Sequence, residues 1–314
     1  MLKQKKGALE ISFKWIFALI LGAIILFLAI FLVSKMIKTG DTEQSAKTSK
    51  NIGVLTNNLE TGFASGVTNT LSMPVETRIY NDCVLDENFG RQRIRTSQKS
   101  LGKWTETDLE VGFPNKYYFS STPVEGKEFF LFSKPFEFPF KVADLIYITS
   151  ADKKYCFINP REDIEEEIDY LDQKNILLGN NCTGEEIKVC FSGSFDCDII
   201  VEDNFVTKDG KILYYEGDAL MYAAIFSDVG VYECQVKRLM LRTIQLASLY
   251  KDKENFVGRT GCSSNLAPDL SALMNMAHGL ATSDGTVSGN LASLMFTVDE
   301  IDYKNTGNAL CRLW

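Results

Sequence analysis

From Trp15 to Val33 the chain reads WIFALILGAIILFLAIFLV, nineteen residues without a charge. A helix of that length extends roughly 28 Å at 1.5 Å per residue, close to the ~30 Å hydrocarbon core of a bilayer. No face of it is polar, so the pattern predicts a membrane span and not one helix of a soluble core. The apolar run of a cleaved secretory leader is shorter, about 7–15 residues, and ends at a small-x-small site. Ser34-Lys35-Met36-Ile37-Lys38 offers none.

Beyond the span the texture changes three times. Ser34–Lys50 is polar, contains Gly40 and reads as an extension or linker, not core. Ile52, Leu55, Leu59 and Phe63 then recur at helical spacing, an amphipathic helix of about three turns that needs a surface to lie on. From about Leu71 to Pro160 the pattern is that of strands: Val75–Tyr80, Arg91–Thr96, Lys116–Ser121, Lys127–Ser133, Phe136–Val142 and Leu145–Ser150. Lys154–Asn159 is expected to pair with the last of these across Ala151-Asp152. The aromatic stretch Phe129 to Phe140 reads as sheet core in preference to a ligand-stacking face, because phenylalanine dominates and hydroxyl handles are few.

Arg161–Gln173 is an amphipathic helix with Ile164, Ile168 and Leu171 on one stripe and carboxylates elsewhere. Further strands follow at Glu186–Phe191, Cys197–Glu202 and Lys211–Tyr215, with Lys208-Asp209-Gly210 as a turn. Ala219–Phe226 is apolar all round, a short buried helix with Asp218 placed to cap it. Three more stripes run through Val236–Tyr250, Leu270–Ala277 and Leu291–Ile301. The fold class is therefore α+β. A leader (1–14) and a span (15–33) precede a linker with an amphipathic helix (34–70). The body (71–314) is β-rich over 71–215 and helical over 218–303.

Apolar residues make up 45% of the chain and aromatics 11%, enough for a packed core. The formal charge is −8, yet the first forty residues carry six lysines against Glu10, which leaves about −13 on the remainder. So acidic a body argues against nucleic acid as a partner. Lys3, Lys5, Lys6 and Lys14 precede the span while Lys35 and Lys38 follow it, a bias that favours a cytoplasmic amino terminus and an extracytoplasmic body. All eight cysteines (Cys83, Cys156, Cys182, Cys190, Cys197, Cys234, Cys262 and Cys311) lie after the span, as expected of disulfide partners outside a reducing cytosol. Eight cysteines allow 105 pairings, and spacing does not choose among them.

Candidate chemistry is sparse. His278 is the single histidine, in a helix-end context, so no catalytic residue is assigned. Neither metal ligands nor a cofactor site are assigned, since Cys182, Cys190 and Cys197 lack the C-x2–4-C spacing of zinc sites and one imidazole rarely suffices. P-loop, nucleophile-elbow and H-E-x-x-H patterns are missing from the sequence. Asp196/Asp198 and Glu202/Asp203 are carboxylate pairs of the kind glycoside hydrolysis uses, without a readable separation. Asn181-Cys182-Thr183 is an N-glycosylation sequon. Asp228 to Cys234 has the D-x-G-x-Y-x-C form of the immunoglobulin tyrosine corner, but Cys234 leads into a helix, so it reads more simply as a bridge from helical layer to β layer.

The leader MLKQKKGALE, with Lys5-Lys6, Gly7 and Glu10 ahead of the apolar helix, resembles a class III signal of the type IV prepilin kind. The resemblance implies cleavage between Gly7 and Ala8, after which the apolar helix packs into a filament core. The family usually places its glutamate fifth after the cut; here Ser12 stands there and Glu10 is third. An uncleaved signal anchor is the alternative. Either way the expected function is structural or interaction-based, with the bilayer contacted through Trp15–Val33 and a protein partner or second copy through the span and Ile52–Phe63. An extracytoplasmic ligand-binding or sensor domain is the rival reading, and an envelope hydrolase a weaker one.

Overall fold

The apolar run continues into a single long helix, α1 (Phe13–Leu55). In the computed structural model the described residues are 13–55, 68–85, 89–100, 102–105, 110–192, 196–259, 261–283, 289, 291–308 and 311–314. The polar stretch Ser34–Lys50, expected as an extension or a linker, is a helical extension of the span. Gly40 opposes helix there by about 1 kcal/mol, no proline interrupts, and lengthening a helix already formed carries no nucleation cost. Of the amphipathic helix expected over Ile52–Phe63, residues 52–55 close α1 and the rest lies outside the described residues.

Seven strands form the first sheet: β1 (Thr68–Val84), β2 (Arg91–Ser100), β3 (Lys103–Trp104), β4 (Val111–Phe113), β5 (Tyr117–Phe119), β6 (Val124–Glu137) and β7 (Lys141–Ser150). Their order is β3-β2-β1-β6-β7-β5, with β4 also on β2. Only β5 on β7 is parallel. Successive side chains of a strand face opposite sides, and across β5, the middle of β6 and most of β7 both sides are covered. Tyr117, Phe119, Phe132, Leu145 and Tyr147 enter the main core, whereas Tyr118, Phe129, Leu131, Ile146 and Ile148 enter a second cluster on the other face. The run Phe129-Phe130-Leu131-Phe132 thus has no polar alternation because neither face meets water. The strand expected over Phe136–Val142 is broken. β6 ends at Glu137, β7 begins at Lys141, and Phe138 N donates to Phe140 O across the turn (2.8 Å), where Pro139 has no amide to offer a ladder.

The second sheet holds β8 (Tyr155–Ile158), β9 (Ile176–Leu178), β10 (Ile187–Phe191), β11 (Ile199–Val201), β12 (Phe205–Lys208) and β13 (Lys211–Tyr214), in the order β13-β12-β11-β10-β8-β9. β9, β8, β10 and β11 are parallel, and α2 (Glu162–Leu171) links β8 to β9. β8 therefore does not fold back on β7, contrary to the sequence expectation. Ala151 N still donates to Glu128 O (2.9 Å), extending the β6 pairing. Asn175 then joins the two sheets: its amide donates to Thr149 Oγ1 (2.8 Å), and its carbonyl accepts from Tyr155 N (2.8 Å). The turn at Asp209 (φ 51°) and Gly210 (φ 69°) joins β12 to β13, as the Asp-Gly pair predicts.

Helices α3 (Gly217–Phe226), α4 (Val229–Gly258), α5 (Ala267–Ala281) and α6 (Ala292–Gly307) complete the body. Every residue of α3 from Ala219 to Phe226 is buried. Its N-cap is Glu216 without a side-chain cap, so Asp218 does not cap it; that carboxylate instead accepts from Arg161 Nη2 (2.7 Å). The other end of α3 is closed by Lys208, whose Nζ donates to Ile225 O and Ser227 O (both 2.9 Å) and which burial pushes down to about 8. The carboxy terminus is pinned: Trp314 packs edge-on against Phe140 and Tyr250 at 5.4 and 5.0 Å.

Phe132 meets Tyr147, Tyr222 and Phe226 at ring separations of 4.5, 5.6 and 5.8 Å. Phe132→Ala is expected to cost about 3–5 kcal/mol in urea unfolding, while Tyr170→Ala, at a side chain 72% exposed, changes stability by less than about 0.5 kcal/mol.

Candidate functional site

The two ends of α1 live in different surroundings. Lys14–Met36 is long and apolar enough to cross a membrane, with a mean hydropathy of 3.3, and no part of it is buried. Trp15, Leu19 and Phe27 stand 71%, 68% and 69% exposed. Near the other end Thr48 and Ile52, four residues apart and so on one helix face, are buried. Ile52 packs into the cluster of Ile79, Ile94, Tyr118, Phe129 and Leu131 on the outer face of the first sheet. The sixteen steps of helix from Met36 to Ile52 extend about 24 Å. A single rigid element thus links an uncovered apolar rod to the face of a sheet.

On the face of β1 and β2 that carries Ile79 and Ile94, a buried polar seam continues the cluster and holds α4. Asn81 donates its amide to Tyr118 O (3.1 Å) and Ser120 Oγ (2.9 Å), and accepts from Gln92. Gln92 in turn accepts from Gln235, which also donates to Tyr118 O (3.1 Å). Arg238, wholly buried, donates to Gln235 Oε1 (2.8 Å), Lys116 O and Pro114 O (both 2.9 Å) and Phe89 O (3.1 Å), with its guanidinium 4.6 Å from the Tyr117 ring. Buried polar groups so fully partnered define one register between helix and sheet. The Cys83–Cys234 disulfide closes the same seam. Only the three-residue spacing of Gln235 and Arg238 beside an apolar stripe hints at it in the sequence, and that spacing is common on solvated faces.

All eight cysteines pair within the chain, as Cys83–Cys234, Cys156–Cys182, Cys190–Cys197 and Cys262–Cys311. The first is the bridge between helical and β layers expected of Cys234. Asn181 is exposed in a 3₁₀ turn (Gly179–Asn181), and its sequon is tied back: Thr183 donates both its hydroxyl (2.7 Å) and its amide to Glu186. His278 is exposed in the last turn of α5. Asp196 pairs with Lys188 Nζ (2.7 Å), and Asp198 accepts from Lys188 N (2.8 Å). Glu202 and Asp203 follow β11. The structure brings none of these carboxylates to His278, and among the described residues no group of three His, Cys, Asp or Glu is placed to hold a metal ion. Phe129, Phe132, Phe136, Phe138 and Phe140 are all buried, so the aromatic stretch is core and offers no stacking face. Gly7, Ala8 and Glu10 lie outside the described residues.

A cleft of about 470 Å³ opens beside the seam, walled by Phe89, Pro114, Tyr117 and Val142, with Arg242 over the Phe89 ring at 5.7 Å. Burial raises the Tyr117 phenol above its ordinary range although Arg238 and Arg242 act against the shift. Comparison with protein-family models, with curated proteins and with solved structures returns no match.

Two outcomes test the seam and the sequon loop. Replacing Cys83 and Cys234 together by alanine frees a loop spanning 151 residues and is expected to cost about 5 kcal/mol on the chain-entropy account, read as a lower urea midpoint. The Thr183 hydroxyl, with the backbone amides of Thr183 and Gly184, holds the Glu186 carboxylate down at about 2, against an ordinary 4.5. Its contribution is complete above pH 4.5 and disappears as the pH falls to about 2. Glu186→Gln is therefore less stable than the parent at neutral pH, and the gap closes across that acid window in a pH series of urea melts.

Proposed function

We propose that this chain is a membrane-anchored extracytoplasmic structural or interaction protein, pilin-like in plan or part of an envelope assembly. One observation carries the reading: a single helix is apolar and uncovered at one end and packed onto a sheet at the other. A soluble protein gains nothing by exposing a rod of leucine, isoleucine and phenylalanine; a bilayer or the apolar helices of neighbouring copies would cover it. The lysine bias supports an extracytoplasmic body, as do four disulfides with no free cysteine. The acidic surface suits solubility in the exposed compartment. In the prepilin-like version Gly7 and Ala8 flank the processing site and α1 lines a filament; in the signal-anchor version the leader stays and α1 holds a lone body at the membrane.

Intact mass of the protein from its native membrane, alkylated with and without prior reduction, tests this. Expected are no modified thiols before reduction and eight after it. A mass lacking residues 1–7 selects the filament subunit, and an intact leader selects the anchored body. Eight thiols modified without reductant would place the body in a reducing compartment and overturn the proposal.

A further inference from the structure

The second sheet contains a topological switch point. β8 and β10 are parallel neighbours, yet the chain leaves β8 through α2 to β9 on one side and leaves β10 to β11 on the other. Where neighbouring parallel strands part in this way, a crevice opens at their carboxyl ends, and ligands of open α/β sheets bind there. A cleft of about 200 Å³ lies at that place. Asn159 and Arg161 reach it from the end of β8, Ser192 from the end of β10, and Glu202 and Asp203 from the end of β11.

The lining sorts by chemistry. Its inner side is apolar, with Phe191 and the ring of Tyr215, whose hydroxyl is spent on Glu202 O (2.6 Å). Its mouth carries donors and acceptors together. Arg161 is oriented by Asp218 (2.7 Å) and Asp163 (3.1 Å), while the Glu202 and Asp203 carboxylates have no hydrogen-bond or ion-pair partner among the described residues. An anion is disfavoured by those two carboxylates, and the amino end of α2 already carries Glu162, Asp163 and Glu165. A bare cation is disfavoured by the guanidinium in the same wall. A neutral ligand bearing many hydroxyls uses both kinds of group, and its C–H face lies against the aromatic side. The volume is below that of a site for drug-sized ligands and suits one ring.

We propose that this cleft binds a single sugar ring, free or as the terminal unit of a glycan, with Glu202 and Asp203 accepting from its hydroxyls and Arg161 and Asn159 donating to them. This binding function is separate from the anchoring role of α1 and stands or falls without it.

The test is saturation-transfer NMR on the full chain in a detergent without sugar headgroups, against D-glucose, D-galactose, D-mannose and N-acetyl-D-glucosamine. At least one sugar is expected to show transfer, and affinity falls about tenfold or more in the double variant Glu202→Gln, Asp203→Asn. Asn159→Gly is the second variant: Asn159 sits at φ 52°, where glycine is unstrained, so the amide donor is lost while the backbone stays, and binding weakens with an unchanged melting temperature. Equal binding of the methyl glycoside marks a terminal unit of a glycan, and its loss marks the free sugar. Transfer to none of the four, transfer that survives both variants, or binding of calcium or inorganic phosphate in place of the sugars would overturn the proposal.

Discussion

Everything in the body is arranged around a helix that has no polar side. From Ala219 to Phe226, α3 is buried at every position, so it cannot lie on the surface of anything; it must be enclosed. The first sheet encloses it with Phe132 and Tyr147, the second with Tyr155 and Phe157, and the rings of Tyr222 and Phe226 touch both groups. The two sheets therefore share one core although they share no strand. The few polar atoms trapped there are matched: the Tyr147 hydroxyl donates to Ala219 O (2.6 Å), and the Tyr222 hydroxyl reaches Glu167 (3.0 Å), which also holds Lys134 (2.7 Å).

Around this centre the polar interactions act as registration marks more than as sources of net stability. The Arg238 seam replaces water with carbonyl oxygens, an exchange whose net gain per bond is about 1 kcal/mol, while a missing partner costs more than that. Its value lies in permitting one seating of α4 against the first sheet. The ion pairs at the surface, such as Arg78 with Glu125 (2.7 Å) or Lys304 with Asp269 (2.8 Å), are each worth about 0–1 kcal/mol. The core rings and the disulfides carry the stability.

The sequence was most legible where periodicity and burial agree. α3 announces itself because five of its eight consecutive apolar residues are the helix formers Ala, Leu and Met, and the stripes of α4 to α6 follow the 3.6-residue period. It was least legible where a choice between partners decides the outcome. Lys154–Asn159 has the composition of a hairpin strand, and nothing local reveals that Tyr155 and Phe157 find Phe226 in another layer. Ser34–Lys50 looks like a linker because its composition is polar, but helix continuity is inherited from the apolar segment before it. Gln92, Gln235 and Arg238 are separated by up to 146 positions in sequence, so their network exists only once the fold has formed. The crevice at β8 and β10 depends on strand order, which no composition encodes.

The pattern of disulfides bears on how the chain is made. Cys156–Cys182 and Cys190–Cys197 both fall inside the interval closed by Cys83–Cys234, and Cys262–Cys311 falls outside it. No bond crosses another, so no correct pair has to open for the next to form. In the proposed topology the segment next to the span leads the body across the membrane, so Cys83 emerges earliest and its partner arrives 151 residues later, with four other thiols passing in between. Closing each cysteine on its nearest predecessor would join Cys83 to Cys156 and displace every pair up to Cys234. Native pairing thus asks Cys83 to wait, and the burden of oxidative folding falls on that one thiol.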